Sequence, residues 1–320
     1  MSSLDLASIR AAHQRIRPHI HRTPVLTSAR LDEVSGAQLF FKCENFQKIG
    51  AFKARGATNA VFALDDAVAK RGVATHSSGN HGAALARAAK IRKIPAHIVM
   101  PSNSAKVKVR AVESYGANIV FCEPTEAARE EACVKLIAKT GATLIHPFEN
   151  AEVMAGQGTA VVELLEDISD VDLVICPVGG GGLLCGTAVA AKSMRPGIKV
   201  IAVEPANADD AAQSFRAGQL VRSQKQFTLA DGLRTNVGAP NFDIIQRYVD
   251  DIVTVSEDAI VEAMRSIWET LKIVIEPSAA VPYAAIRERK IDIHGRRVGV
   301  ILTGGNVDLD ALPWMKITSA

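Results

Sequence analysis

The stretch Asp172-Leu173-Val174-Ile175-Cys176-Pro177-Val178-Gly179-Gly180-Gly181-Gly182-Leu183-Leu184-Cys185-Gly186-Thr187-Ala188-Val189-Ala190-Ala191 decides the architecture. Its first seven residues, apolar after Asp172, make a run of strand length, the mark of a parallel strand buried on both faces. The residues from Leu183 onward read as a buried helix. Four consecutive glycines between them let the backbone curl so that several N–H groups point into one space, and the helix start adds its own free donors. Strand, glycine turn and helix N-terminus together suit a phosphate dianion. A flexible linker is the alternative, but linkers have polar flanks and this loop joins two apolar elements. No Gly-Lys-Ser/Thr follows, so the loop is not a P-loop; Gly186 and Glu204 keep part of a dinucleotide fingerprint, which leaves a nucleotide site as a weaker alternative.

Two loops upstream and one downstream carry reactive or polar groups. Glu44-Asn45-Phe46-Gln47-Lys48-Ile49-Gly50-Ala51-Phe52-Lys53-Ala54-Arg55-Gly56-Ala57 sets Lys53 between small residues and Phe52, after the strand-like run Gln38–Cys43. An ordinary lysine is charged and unreactive at neutral pH, but a dry setting favours the neutral amine, which condenses with an aldehyde. Ser77-Ser78-Gly79-Asn80-His81-Gly82 lies between Gly72–His76 and the helix-like Ala83–Arg92. It is a cradle for a small carboxylate, or a run of N-capping residues. Arg297–Thr303 reads as a strand ending in Gly304-Gly305-Asn306, and a hydroxyl at the carboxyl end of a buried strand is where ligands meet open α/β sheets.

In this order and spacing, these motifs resemble the fold type II pyridoxal-phosphate (PLP) enzymes, in the branch of serine racemases and serine/threonine or threo-3-hydroxyaspartate dehydratases (ammonia-lyases). The resemblance runs from Arg22-Thr23-Pro24-Val25 to Asn306. It implies an α/β fold of two open parallel-sheet domains, tryptophan synthase β-like, with the active site in the cleft between them. By the same resemblance Lys53 tethers the cofactor aldehyde and then serves as base, and Phe52 packs near the ring. Asn80 meets the ring hydroxyl, Gly179, Gly180, Gly181 and Gly182 with Leu183 hold the phosphate, and Thr303 meets the pyridine nitrogen. Ser78 stands on the opposite ring face as the second catalytic residue, and Ser77, Asn80, His81 and Arg129 receive the substrate carboxylate. A neutral hydroxyl at the ring nitrogen makes a weaker electron sink than a carboxylate would, which leans toward β-elimination.

The segment Val203–Asp210 resembles the family's divalent-metal site, with Glu204 and Asp210 carboxylates and the Ala208 carbonyl as ligands. Mg²⁺ is expected, with Ca²⁺ or Mn²⁺ as alternatives. The competing reading has Asn207 capping a helix whose first turn carries the acids. Glu276 matches a family position near the ring or is a helix-start acid.

Composition fits this frame. Of 320 residues 48% are hydrophobic and 22% charged, and 37 basic against 34 acidic residues leave a net charge of +3. That is an ordinary globular chain of two domains with no basic excess for nucleic acid. No apolar run approaches the roughly twenty residues of a membrane span, and Met1–Leu6 lacks a secretory pattern. Five cysteines with no Cys-x-x-Cys argue for reduced thiols in the cytoplasm. Strand–helix alternation from about Val73 to Ile145, and again after Gln157, predicts a discontinuous large PLP-binding domain (1–65 and 150–320) with a small mobile domain (72–147) inserted.

The expected reaction is PLP-dependent β-elimination of a small β-hydroxy amino acid such as L-serine, L-threonine or threo-3-hydroxyaspartate, giving a 2-oxo acid and ammonia, with serine racemisation as a side activity. β-Replacement, as in cysteine synthases, is the alternative; His81-Gly82 stands where such enzymes tend to carry Thr-Gly. A non-catalytic sensor is the third reading, and only a short tail follows Thr303. A homodimer is expected by resemblance. Arg129, His146 and Arg234 are candidate partners for a second substrate carboxylate, while Ala83 and Phe148 depart from polar residues of some racemase-like relatives.

Overall fold

In the computed structural model, described over residues 4–77, 79–104, 106–223 and 227–315, ten strands form two sheets. In chain order they are β1 (Val25–Leu26), β2 (Gln38–Cys43), β3 (Val73–His76), β4 (Ala96–Pro101), β5 (Asn118–Cys122), β6 (Thr143–Leu144), β7 (Leu173–Pro177), β8 (Lys199–Pro205), β9 (Asp251–Val255) and β10 (Arg297–Leu302). One sheet has the order β1-β2-β10-β7-β8-β9 and the other β5-β4-β3-β6. All neighbours are parallel except β1, which lies antiparallel on β2. The expectation of two open parallel sheets holds, with that one antiparallel edge added.

Both chain ends build the larger sheet. The last strand enters its middle: Val298 is in register with Leu39 on one side and Leu173 on the other. Alternate residues of the buried strands face opposite layers. Val174 and Cys176 join the core under the helices Ala151–Asp167 and Gly182–Met194. Leu173 and Ile175 join the core under Glu257–Leu271 and Pro277–Arg287. A β-carbon on Gly186 would sit 2.3 Å from the Met154 carbonyl and 2.6 Å from the Gly158 nitrogen. Gly186 therefore serves close helix packing rather than a nucleotide.

An ionic cluster pins the start of the helix Lys53–Ala63 to the large sheet. Arg55, fully buried, donates through Nε and Nη2 to both Glu44 oxygens (2.7 and 2.8 Å) and through Nη1 and Nη2 to both Glu163 oxygens (2.8 and 2.7 Å). Lys42 on β2 donates to Glu163 at 2.7 Å. Two cations balance two carboxylates, so each buried charge is paired and hydrogen-bonded.

Candidate active site

Lys53 is the first residue of its helix. Its half-buried amine donates to the Pro147 carbonyl at 3.1 Å and lies 5.1 Å from the Phe52 ring centroid. Burial pulls the amine down from its ordinary value to about 8, with the Glu276 carboxylate pushing the other way. The amine faces a cavity of about 290 Å³ between the two sheets. Phe52 and Lys53, Ser77, Asn80 and His81, Arg129, Gly179–Leu183 and Thr303 all line it. Ser78 lies outside the described residues.

Thr303 follows directly on β10, which ends one residue earlier than its sequence indicated. The Thr303 side chain is buried, and its Oγ1 has no hydrogen-bond partner among the described residues. A buried hydroxyl without a partner is costly, and a ring nitrogen brought by a ligand satisfies it. After the neighbouring parallel strand β7, the amides from Gly179 to Leu183 donate to no carbonyl among the described residues. Gly181 has φ +93°, and a β-carbon on Gly180 would lie 2.3 Å from the Phe148 ring. Asn241 holds the turn in place, donating through Nδ2 to the Gly180 and Phe148 carbonyls at 2.6 and 3.1 Å. Amine, unpaired hydroxyl and open amide cradle fit an aldehyde-bearing pyridine phosphate.

The helix Asn80–Arg92 begins three residues earlier than its apolar pattern indicated, so Asn80 and His81 form its first turn. The Gly79 amide donates to Ser77 Oγ at 3.2 Å. His81 was expected to receive the substrate carboxylate, but its Nε2 meets the Ile145 carbonyl at 3.1 Å, which fixes the proton there. Burial, then the Lys53 charge, lowers its pKa to about 3. The ring is neutral with Nδ1 as an acceptor, so the donor His81 brings is its backbone N–H at the helix start.

The side chain of Asn80 is engaged by protein. Its Nδ2 donates to Glu276 Oε1 and Oε2 at 2.9 and 3.2 Å, and its Oδ1 accepts from Asn306 Nδ2 at 2.9 Å. Glu276 is therefore a member of the site and not merely a helix-start acid. Burial, then Asp231, raises its carboxyl to about 7. Across the cleft mouth, Lys108 of the helix Lys106–Ser114 pairs with Asp231. No local pattern signals this pair, whose partners lie 123 residues apart.

Glu204 and Asp210 lie beside one another, and neither they nor Ala208 line the cavity. Both carboxylates are fully buried, and neither pairs with a Lys or Arg among the described residues. Glu204 accepts from the Ala211 and Ala212 amides at 3.2 and 3.0 Å. Asp210 accepts from Val237 through Oδ2 at 2.7 Å, while its Oδ1 has no partner. Burial, then the Asp210 charge, raises the Glu204 carboxyl, and burial, with Asp209 nearby, raises Asp210 to about 6. Two adjacent carboxylates suit a hard divalent cation with further oxygens, from carbonyl or water, completing its shell. Asn207 does not cap the following helix, whose N-cap is Asp209.

Parallel sheets flanking a lysine, a phosphate cradle and an unpaired hydroxyl define a fold type II pyridoxal-phosphate site. A family model described as "Pyridoxal-phosphate dependent enzyme" matches residues 16–304, and the chain belongs to that family. It is 51% identical to a beta-hydroxyaspartate dehydratase of Paracoccus denitrificans (strain Pd 1222), over 95% of this chain and 96% of the relative. It is 49% identical to a serine racemase of Arabidopsis thaliana, over 96% and 95% of the two chains. The structure of maize serine racemase superposes with a TM-score of 0.94 at 46% identity, covering 96% of this chain and 94% of that one.

Proposed function

We propose that this chain is a PLP-dependent dehydratase whose preferred substrate is threo-3-hydroxyaspartate, converted to a 2-oxo acid and ammonia. The observation that carries the chemistry is one cavity holding the Lys53 amine, the unpaired Thr303 hydroxyl and the open amides of Gly179–Leu183. When bound, PLP supplies an electron-withdrawing ring that accepts the electron pair left by removal of an α-proton. Lys53 holds the cofactor and, as neutral amine, takes that proton. Thr303 offers the ring nitrogen a neutral hydroxyl. The helix start at Asn80–His81 receives the α-carboxylate, with Ser77 and Arg129 beside it. The substrate hydroxyl leaves as water, which returns on hydrolysis as ammonia departs.

The dicarboxylate preference is supported by the arginines that line the cavity, Arg129, Arg222 and Arg234, beside its acidic residues, and by the dehydratase relative. Racemisation of serine is a second activity suited to the racemase relatives; it needs a proton donor opposite Lys53, the part given to Ser78. We further propose a divalent cation at Glu204, Ala208 and Asp210 that braces the large domain, and a 72–147 unit that closes over substrate. Homodimeric assembly and cytoplasmic residence complete the reading. No helix among the described residues is long and apolar enough to cross a membrane, and all five cysteines are free thiols. Oxo-acid release across serine, threonine and the 3-hydroxyaspartate stereoisomers tests the assignment: the threo dicarboxylate should have the highest kcat/KM, and a flat or absent response would reject it.

A further inference from the structure

We propose that Arg234 is the residue that selects a dicarboxylate, pairing with the carboxylate on Cβ of the substrate; this rests on the hydroxyaspartate reading above. Its segment spans the site. At one end Asp231 is joined to Lys108, whose ammonium lies 3.7 Å from the β-carbon position of Gly79 in the α-carboxylate loop. At the other end Leu233 Cα and Thr235 Cγ2 lie 3.1 and 3.3 Å from the β-carbon position of Gly179, where the phosphate cradle begins. Arg234 stands between these two marks and lines the same cavity as Lys53.

Its backbone is held: Gly232 N donates to Ser278 Oγ at 3.0 Å and Thr235 N to the Leu233 carbonyl at 2.9 Å. The guanidinium is aimed by a 2.8 Å hydrogen bond from Nε to the Thr228 carbonyl. Its two terminal nitrogens have no acceptor, and no carboxylate pairs with it, among the described residues. That leaves a planar two-donor fork open, the geometry that matches a carboxylate.

The other polar candidates are committed or unsuited. Lys108 is neutralised by Asp231. His146 Nδ1 accepts the Glu149 amide at 2.9 Å, and burial lowers the ring's pKa to about 4, so it brings no charge. Arg129, on the helix Glu126–Thr140, serves the α-carboxylate in the reading above. Arg222 also lines the cavity and is exposed, as Arg234 is, but no hydrogen bond among the described residues orients it, whereas Arg234 is held by Thr228.

The test uses the PLP-loaded enzyme with threo-3-hydroxyaspartate and its β-amide, threo-3-hydroxyasparagine, which differ only in the distal charge. The ratio of their kcat/KM values should fall about 10- to 100-fold in Arg234→Gln, the size expected for losing a charge-assisted hydrogen-bonded pair. Arg234→Lys should give an intermediate fall, and it carries the test if the glutamine variant does not fold. An unchanged ratio, including equal losses on both substrates, overturns the assignment, as does the same fall in Arg222→Gln in its place. Wild-type enzyme that does not turn over hydroxyaspartate at all instead overturns the substrate reading beneath it.

Discussion

The backbone N–H of Phe52 donates to the carbonyl of Thr303 at 2.9 Å, joining residues 251 positions apart. This bond, with the bridge between Ala51 and Gly304, fixes where Lys53 leaves the backbone relative to the hydroxyl that awaits a ring nitrogen. The reactive amine and the cofactor's far edge are thereby set by one short piece of backbone pairing.

Thr303→Val separates the hydroxyl from the space it fills. Because Oγ1 has no protein partner, the cofactor-free variant should be as stable as wild type, or up to about 1 kcal/mol more stable. Turnover by the loaded variant should drop about tenfold or more for loss of one hydrogen bond. Urea unfolding beside steady-state kinetics reads both. A destabilised apoprotein would mean the hydroxyl already has a structural partner.

The pH dependence of cofactor capture follows from the Lys53 amine, lowered to about 8. Its neutral fraction is about a tenth at pH 7, against less than about a thousandth for an ordinary lysine. The capture rate of the apoprotein should therefore rise about tenfold per pH unit below 8 and level off above it. Glu276 holds the amine's pKa up, so Glu276→Gln should move the midpoint to lower pH. Stopped-flow absorbance gives the profile, and a rate still climbing at pH 10 would count against a depressed amine.

Gly180 tests the cradle. A β-carbon there meets the Phe148 ring at 2.3 Å, so Gly180→Ala must displace either the ring or the loop. Cofactor affinity should weaken about tenfold or more, in line with the cost of overpacking. Pairing it with Phe148→Ala should recover part of the loss. Equal affinity in wild type and Gly180→Ala, measured by dialysis and absorbance, would show that the turn does not hold the phosphate.

Arg55→Leu leaves Glu44 and Glu163 buried without their shared guanidinium. Breaking such a cluster should cost about 3–5 kcal/mol of stability, seen as a lower urea midpoint. A change below about 1 kcal/mol would place the cluster in the range of exposed ion pairs.

Removal of divalent cation should lower Tm in wild type, because a ligand that binds only the folded state stabilises it by mass action. Asp210→Asn should abolish that response. A wild-type Tm indifferent to chelator and to added Mg²⁺ would remove the cation from the account.

How far the sequence carried these conclusions depends on the range over which each signal acts. The turn Gly179–Gly182 was readable because everything that shapes it, an apolar strand, four glycines and an apolar helix, lies within twenty residues. The helix start at Asn80 is hidden in the sequence because polar first-turn residues also suit a loop, and only the fold reveals which amides stay open. Arg55 looked like any charged residue beside Lys53. Its meaning depends on Glu163, 108 residues away, across a sheet whose strand order places β10 between β2 and β7. Glu276 likewise became a site residue only once Asn80 was brought to it over a separation of 196 residues.

The most direct test of the central claim is chemical mapping of the cofactor's attachment point. Purified enzyme loaded with PLP is reduced with borohydride, digested and analysed by mass spectrometry. A single phosphopyridoxyl adduct on Lys53 is the predicted result; an adduct on another lysine, or none on a protein that retains stoichiometric cofactor, would contradict it.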